Sequence, residues 1–180
     1  MREKYSECDF RYLGADNVDQ ELAELNPYGE SPTLVDRDLV LYGVDVINEY
    51  LDERLPHPPL MPIDPVGRGR ARLLISRLKR DWLDDLQRRL SKGEKLDQKS
   101  RKILWDGLLA MSQMFASQEY LLSNDFTLVD CYVAPLLWRL PFLGIKLPRQ
   151  GKRLEEYSER LFARSSFQGS LSDAERELHP

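Results

Sequence analysis

The pattern of apolar and polar residues changes its period along the chain. In the first part, short stretches alternate: residues 7–13 predict one strand, and residues 33–41 predict a hairpin with a polar turn at 36–38. Pro32 holds the residue before it in an extended conformation, which suits the entrance of a strand. We therefore expect a small sheet near the start of the chain.

Apolar residues at spacings of three and four, the period of an amphipathic helix, dominate the other stretches. A short helix is predicted from about residue 17 until Asn26-Pro27 breaks it. A second helix begins at Val44 and must stop near Leu55, because the prolines that follow lack a backbone N–H. The same period predicts further helices, with these bounds: 71–90, 97–117, 128–140 and 153–164.

Thr127 and Asp130 have the spacing of a capping box at the start of one of these helices. In that arrangement the Thr side chain accepts from the third helical amide and the carboxylate reaches back to the first amides, which contributes ~1 kcal/mol. Helix 128–140 is apolar on nearly every side, so we expect it at the centre of the helical region, bent at Pro135.

The 180-residue chain is long enough to form one domain or two small ones. With 42% hydrophobic and 31% charged residues, it has the composition of a folded globular protein. The change of period at the prolines divides it into an N-terminal domain at residues 1–54, a proline-rich linker at 55–66 and a helical domain at 67–180.

The net charge of −4 argues against a general nucleic-acid binder, which needs a basic balance or a concentrated basic patch. One basic run, at residues 68–80, has the composition to meet phosphate or an acidic protein. Aspartates follow at once, and a solvated helix face is the favoured interpretation. The chain lacks an apolar run of about 18 residues and an apolar leader, so we infer a cytoplasmic protein.

Candidate reactive groups are few. Cys8 and Cys131 are the only cysteines, and both are interpreted as reduced core thiols. With two histidines besides, no zinc-ligand spacing is present, and neither a metal nor another cofactor is expected. No phosphate loop, nucleophile elbow or carboxylate pair indicates a catalytic residue. The three tryptophans have helical core spacing and are expected to pack in the core: Trp82, Trp105 and Trp138.

The stretch 31–62, SPTLVDRDLVLYGVDVINEYLDERLPHPPLMP, is the most specific in the sequence. With DCYVAPLLWRL at 130–140 and AERE at 174–177, it resembles the stringent starvation protein A family, whose members have a glutathione-transferase fold. The resemblance covers nearly the whole chain. It implies an α/β plus all-α architecture, with a thioredoxin-like N-terminal domain followed by an all-helical C-terminal domain.

The resemblance also implies that the N-terminal domain is truncated at its start. Family members begin with a strand and a helix that precede the first residues here, and strand 7–13 would then lack a neighbour in the sheet. We expect that Met1 is an internal methionine of a longer chain. The alternative is a shorter form with a disturbed sheet.

In glutathione transferases of this fold, a Glu-Ser pair at the start of the helix after the hairpin holds the glutamyl carboxylate of glutathione. The resemblance places that pair at Gly43-Val44, and neither residue supplies a side-chain ligand. It therefore implies that the chain is not an enzyme. The alternative is a glutathione-dependent transferase or reductase.

His57 lies between prolines, which hold its backbone with little entropy to lose on binding. From the residues alone, a recognition surface and a linker histidine packed at a domain junction are equally open. The resemblance favours recognition: Pro56, His57 and Pro58 match a surface element of the family that acts on transcription. It implies a co-regulator that binds RNA polymerase holoenzyme under stress or starvation, without sequence-specific DNA binding of its own.

The resemblance leaves the assembly open. It implies a homodimer or a heterodimer with a related paralogue, with a nucleotide alarmone at the interface as a further alternative.

Overall fold

The computed structural model of the protein describes residues 1–12, 20–29, 31–92, 94–115, 117–147 and 151–178. The chain divides into two compact units, Met1–Pro59 and Leu60–Pro180, which we call the N-terminal unit and the C-terminal unit. The division of residues 55–66 into a separate linker stays a prediction.

The N-terminal unit contains the predicted hairpin and the helix that follows it. A 3₁₀ turn at Arg2–Lys4 is followed by α1, β1, β2 and α2, with these bounds: Gln20–Leu25, Thr33–Asp36, Leu39–Tyr42 and Val44–Arg54. The two strands are antiparallel, with Thr33 opposite Tyr42 and Asp36 opposite Leu39. The start of the short helix near residue 17 lies outside the described residues.

The prediction of a strand at 7–13 is wrong for its described part. Residues 7–12 have no regular secondary structure, and Phe10 and Tyr12 are 59% and 79% exposed. A strand needs a neighbour for its backbone N–H and C=O groups, and among the described residues only β1 and β2 pair with each other. Alternation of apolar residues is therefore not sufficient to form a strand here.

All regular secondary structure in the described part of the C-terminal unit is helical. Its elements are α3 to α9, with a π turn at Lys79–Leu83 between α3 and α4, and the helix bounds are Pro65–Leu78, Asp84–Ser91, Gln98–Met114, Leu128–Arg139, Lys152–Phe162, Ser165–Ser170 and Asp173–Glu177. Two aspartates cap helix starts: Asp64 accepts from Gly67 N at 2.8 Å, and Asp97 accepts from Ser100 N at 2.7 Å.

The π turn divides the single helix that the periodicity predicts at 71–90. It carries Trp82, whose ring packs on Gly107 of α5 so closely that a Cβ at Gly107 would lie 2.2 Å from Trp82 Cζ2. A π turn inserts a residue and rotates the side chains after it relative to those before it. Hydrophobic spacing predicts one continuous helix here and does not reveal the contact of Trp82 with Gly107, because the two residues lie in different elements.

The α6 helix is central in the C-terminal unit, as predicted. Val129, Val133 and Leu136 are fully buried, and α6 packs on α3 and α7. The helix passes through Pro135 and ends at Arg139. Its bend at Pro135 stays a prediction.

Asp130 confirms the predicted capping box and extends it. The carboxylate is fully buried, and its Oδ2 accepts from Thr127 N at 2.7 Å and from Thr127 Oγ1 at 2.9 Å. Its Oδ1 accepts from Leu121 N at 3.1 Å and from Tyr157 Oη at 2.7 Å. A single carboxylate therefore joins the start of α6 to the preceding loop and to α7.

Tyr157 completes this cluster. It is fully buried, and its ring stacks on Phe115 with the ring centroids 4.3 Å apart. Burial, followed by the charge of Asp130 and the hydrogen bond to it, raises the pKa of Tyr157 well above its usual range. The phenol therefore stays protonated and serves as a donor to the carboxylate.

Replacing Asp130 with Ala is expected to lower the free energy of unfolding by about 3 kcal/mol or more, because it leaves two backbone amides and a phenol without their acceptor. Urea unfolding measures the loss. Asp106→Ala is the matched control, since Asp106 pairs with Lys102 on the surface of α5 and such pairs contribute less than about 1 kcal/mol. Equal losses in the two variants would show that the cluster is not a centre of stability.

Stability should also depend on Tyr157 at high pH. Because the pKa is raised in the folded state, the contribution is complete below the unfolded value of about 10 and is lost as the pH rises above it. Above about pH 10, the wild type should lose up to ~1.4 kcal/mol per pH unit more than Tyr157→Phe. Urea unfolding at each pH checks this, with the exposed Tyr12→Phe as control. Parallel curves for wild type and Tyr157→Phe would contradict it.

Candidate partner-binding surface

The C-terminus of α2 leads directly into the candidate surface. The helix makes its last backbone hydrogen bond from Leu55 N to Leu51 O at 3.1 Å, and Pro56 has no N–H with which to continue. We call residues 56–59 the proline arm. Pro56 and His57 are exposed, Pro58 is half-buried, and the His57–Pro58 peptide is cis. The three predicted site residues thus form one outward segment at the end of a helix.

A buried ion pair lies beneath the proline arm. Lys4 Nζ lies 2.5 Å from Asp52 Oδ1 and 2.5 Å from the carbonyl oxygen of Pro58. Lys4 is 6% exposed and Asp52 8% exposed. The contact connects the 3₁₀ turn to the last turn of α2 and to the backbone of the arm.

Sequence reasoning missed Lys4 and Asp52 as part of this surface. Lys4 is separated from Asp52 by 48 positions and from Pro58 by 54. The first residues are polar and gave no periodic signal, and a lysine in such a charged run is normally solvated. No local spacing rule could have identified the pair.

A second set of contacts holds the other side of the same helix. Tyr50 Oη donates to Asp36 Oδ2 at 2.6 Å, and Arg54 Nε lies 3.7 Å from the same oxygen. The hydrogen bond to Asp36, more than the burial of the ring, raises the pKa of Tyr50. The end of α2 is therefore connected to the hairpin as well as to Lys4, so the proline arm begins at a helix end that is held in place.

The start of α2 is the position where the fold's enzymes bind glutathione, according to the resemblance. No described side chain caps this helix, and Gly43 and Val44 have no side-chain group that binds a carboxylate. Asp45 already places a negative charge in the first turn. An anionic ligand would meet backbone amides and a nearby carboxylate, which is a poor site for a glutamyl group.

The backbone conformation explains why residue 43 is a glycine. Its φ is 86°, in the left-handed region that side chains disfavour, while the space around its Cα is open. The hairpin needs this turn in order to enter α2. The position that the fold's enzymes use for glutathione, according to the resemblance, thus carries a glycine that suits the local backbone.

Other candidate side chains have ordinary positions. In the basic run, four arginines are exposed and two members are half-buried, as expected for a solvated helix face; the exposed four are Arg70, Arg72, Arg77 and Arg80. Neither Cys8 nor Cys131 forms a disulfide, and both are half-buried. Cys131 packs against the core, as predicted. In the described ranges, no three His, Cys, Asp or Glu residues lie together as metal ligands.

The prediction that all three tryptophans pack in the core is wrong for Trp105, which is 38% exposed. It follows Leu104 on α5, and a step of one residue turns the side chain away from the buried face. Trp138 is buried, and its Nε1 donates to Glu175 O at 2.8 Å. Trp82 is half-buried against the core.

No helix in the part of the chain that the structure describes combines the length and the apolar character that crossing a bilayer requires.

Comparison with known proteins defines the class first. The family model "Glutathione S-transferase, N-terminal domain" matches residues 1–59, and "Glutathione S-transferase, C-terminal domain" matches residues 58–165. Glutathione transferase Omega 3C from Trametes versicolor is structurally similar, with a TM-score of 0.81 and 21% identity over 96% of this chain and 76% of that one. This chain therefore has the glutathione-transferase fold.

Curated relatives identify the family within this fold. The stringent starvation protein A homolog of Coxiella burnetii is 45% identical over 179 residues, 99% of this chain and 86% of the relative. The homolog of Pasteurella multocida is 48% identical over 159 residues, 86% of this chain and 73% of the relative. The chain belongs to the stringent starvation protein A family, which confirms the resemblance.

The start of α2 generates a prediction about glutathione. Calorimetry on the unmodified protein should give a Kd above about 1 mM. Val44→Ser should tighten binding about tenfold, because it supplies a hydroxyl donor for the carboxylate. Val46→Ser, two positions along the same helix and also exposed, is the control and should change nothing. A micromolar Kd for the unmodified protein would contradict this description.

Gly43→Glu is not a useful test of the same point, because a side chain at φ 86° introduces backbone strain of about 1–3 kcal/mol.

Proposed function

We propose that this protein is a transcription co-regulator that binds RNA polymerase holoenzyme under stress or starvation, and that Pro56, His57 and Pro58 form the surface it uses. The observation that carries the proposal is the exposed His57 on an arm whose neighbouring carbonyl is held by Lys4. A rigid segment loses little entropy on binding, which favours recognition. Membership of the stringent starvation protein A family supports the same assignment.

We further propose that the protein has no enzymatic role. The start of α2 supports this, because it offers a glutathione carboxylate only backbone amides beside Asp45. A glutathione-dependent transferase or reductase is the second candidate, since the fold is shared with a glutathione transferase. The calorimetric titration above separates the two.

The proposed assembly is a dimer in the cytoplasm, either a homodimer or a heterodimer with a related paralogue. It would reach promoters through the polymerase and not through sequence-specific DNA contacts of its own. The net charge of −4 supports the absence of direct DNA contacts, because an acidic chain gains little from phosphate neutralisation.

His57→Ala tests the proposed surface. Because the ring is exposed, its removal should change the free energy of unfolding by no more than ~0.5 kcal/mol. Affinity for purified polymerase holoenzyme should fall about tenfold, since an anchor residue loses its contacts with no compensating gain in order.

Lys99→Ala is the control, because Lys99 is also exposed and lies at the start of α5 in the C-terminal unit. Both variants are compared by thermal melting and by co-elution with the holoenzyme. If His57→Ala melts like the wild type and co-elutes as well as Lys99→Ala, the arm is a connecting segment and not the binding surface.

A further inference from the structure

Lys4 ends the 3₁₀ turn, and its ammonium group is buried instead of hydrated. Lysine is among the residues that are rarely buried unless paired. Here Nζ contacts a carboxylate oxygen of Asp52 and the carbonyl oxygen of Pro58, both at 2.5 Å. Because an unpaired buried ammonium is strongly unfavourable, these contacts keep the side chain in one place.

The contact with Pro58 acts on the proline arm directly. The prolines of the arm have no N–H, so His57 carries the only backbone donor of the segment, and the hydrogen bonding of α2 ends at Leu55. With so few donors of its own, the arm is held more firmly when a donor from another part of the unit reaches its backbone. Lys4 supplies that donor to the carbonyl one residue after His57.

We propose that Lys4 is a positioning residue for partner binding: held by Asp52, it fixes the Pro58 carbonyl and so presents His57 in one orientation. This inference rests on the proposed function. It adds a residue that lies 54 positions before Pro58 and outside the exposed surface. Its effect is preorganisation, which reduces the ordering that the arm must undergo on binding.

The alternative hypothesis is that the ion pair only stabilises the N-terminal unit, and it leads to a different prediction. Replacement of a buried pair by apolar residues of similar volume is often neutral or stabilising, whereas removal of one partner is destabilising. The variant Lys4→Met with Asp52→Leu should therefore retain the melting temperature while losing the donor to Pro58. Asp52→Asn should lower the melting temperature while leaving Lys4 and an acceptor oxygen in place.

The two variants separate positioning from stability. The double variant should have the higher melting temperature but the weaker binding, and Asp52→Asn the reverse. Binding to polymerase holoenzyme is measured well below the melting temperature of every variant. We expect Lys4→Met/Asp52→Leu to bind about tenfold more weakly than the wild type, as His57→Ala does, and Asp52→Asn to bind within about twofold of the wild type.

The matched control is Lys102→Met with Asp106→Leu, the same substitutions in an exposed pair of α5 with a separation of 2.8 Å. It should bind like the wild type. If the double variant at Lys4 and Asp52 also binds like the wild type, or if affinity follows melting temperature across the series, the positioning role is refuted. Should that variant fail to fold, the comparison of Asp52→Asn with the wild type still decides, since tenfold weaker binding would indicate a stability effect.

A readout without polymerase separates this inference from the proposed function. The Cε1–H signal of His57 in ¹³C-labelled protein, assigned with His57→Ala, should shift in Lys4→Met/Asp52→Leu and stay unchanged in the Lys102 and Asp106 control. An unchanged signal in the first variant would refute the positioning role. Failure of the wild type to bind polymerase, with the shift present, would instead refute the polymerase assignment alone.

Discussion

Asp130 places a carboxylate in the centre of the C-terminal unit, and the buried group is tolerated because four donors surround it. Those donors come from Thr127, Leu121 and Tyr157, which belong to the start of α6, the loop before it and α7. The apolar residues of α6 pack on α3 and α7. Hydrophobic burial supplies most of the driving force, but it is not directional. Buried hydrogen bonds to one carboxylate are directional, and they specify a single arrangement.

The N-terminal unit uses the same constraint around Lys4. A buried ammonium requires acceptors, and it finds them in Asp52 and in the backbone of the proline arm. The Lys4 contacts differ from those of Asp130, because one of the acceptors belongs to an exposed segment. A group that stabilises the unit can therefore also orient a surface, and the two effects are separable by experiment.

The start of α2 illustrates how one fold serves several functions. The chain has the glutathione-transferase fold, yet Gly43 and Val44 offer no side-chain ligand there. The positive φ of Gly43 suits the entrance of the helix. The same backbone is thus kept while the chemistry at the helix start differs, and the proposed function moves to the opposite end of α2.

Interactions between near neighbours in the sequence were sufficient to predict much of the fold. The hairpin, the beginning and end of α2, the capping box of Asp130 and the central place of α6 all follow from spacing, caps and prolines within a few residues. The end of α2 before the Pro56-His57-Pro58 segment follows because proline cannot continue a helix. Each of these depends on interactions between near neighbours in the chain, which a sequence displays directly.

Tertiary structure decided the features that depend on distant neighbours. Residues 7–12 alternate like a strand but form none, because a strand depends on a pairing partner. Trp82 of the π turn packs on Gly107 of another helix, and the partial exposure of Trp105 depends on which face of α5 is covered. The pairing of Lys4 with Asp52 and Pro58 joins residues 48 and 54 positions apart. Local patterns predicted the hairpin, most of the helices and the end of α2 before the proline arm. Only folding brought Lys4 to Asp52 and Pro58, because burial brings together groups that no spacing rule connects.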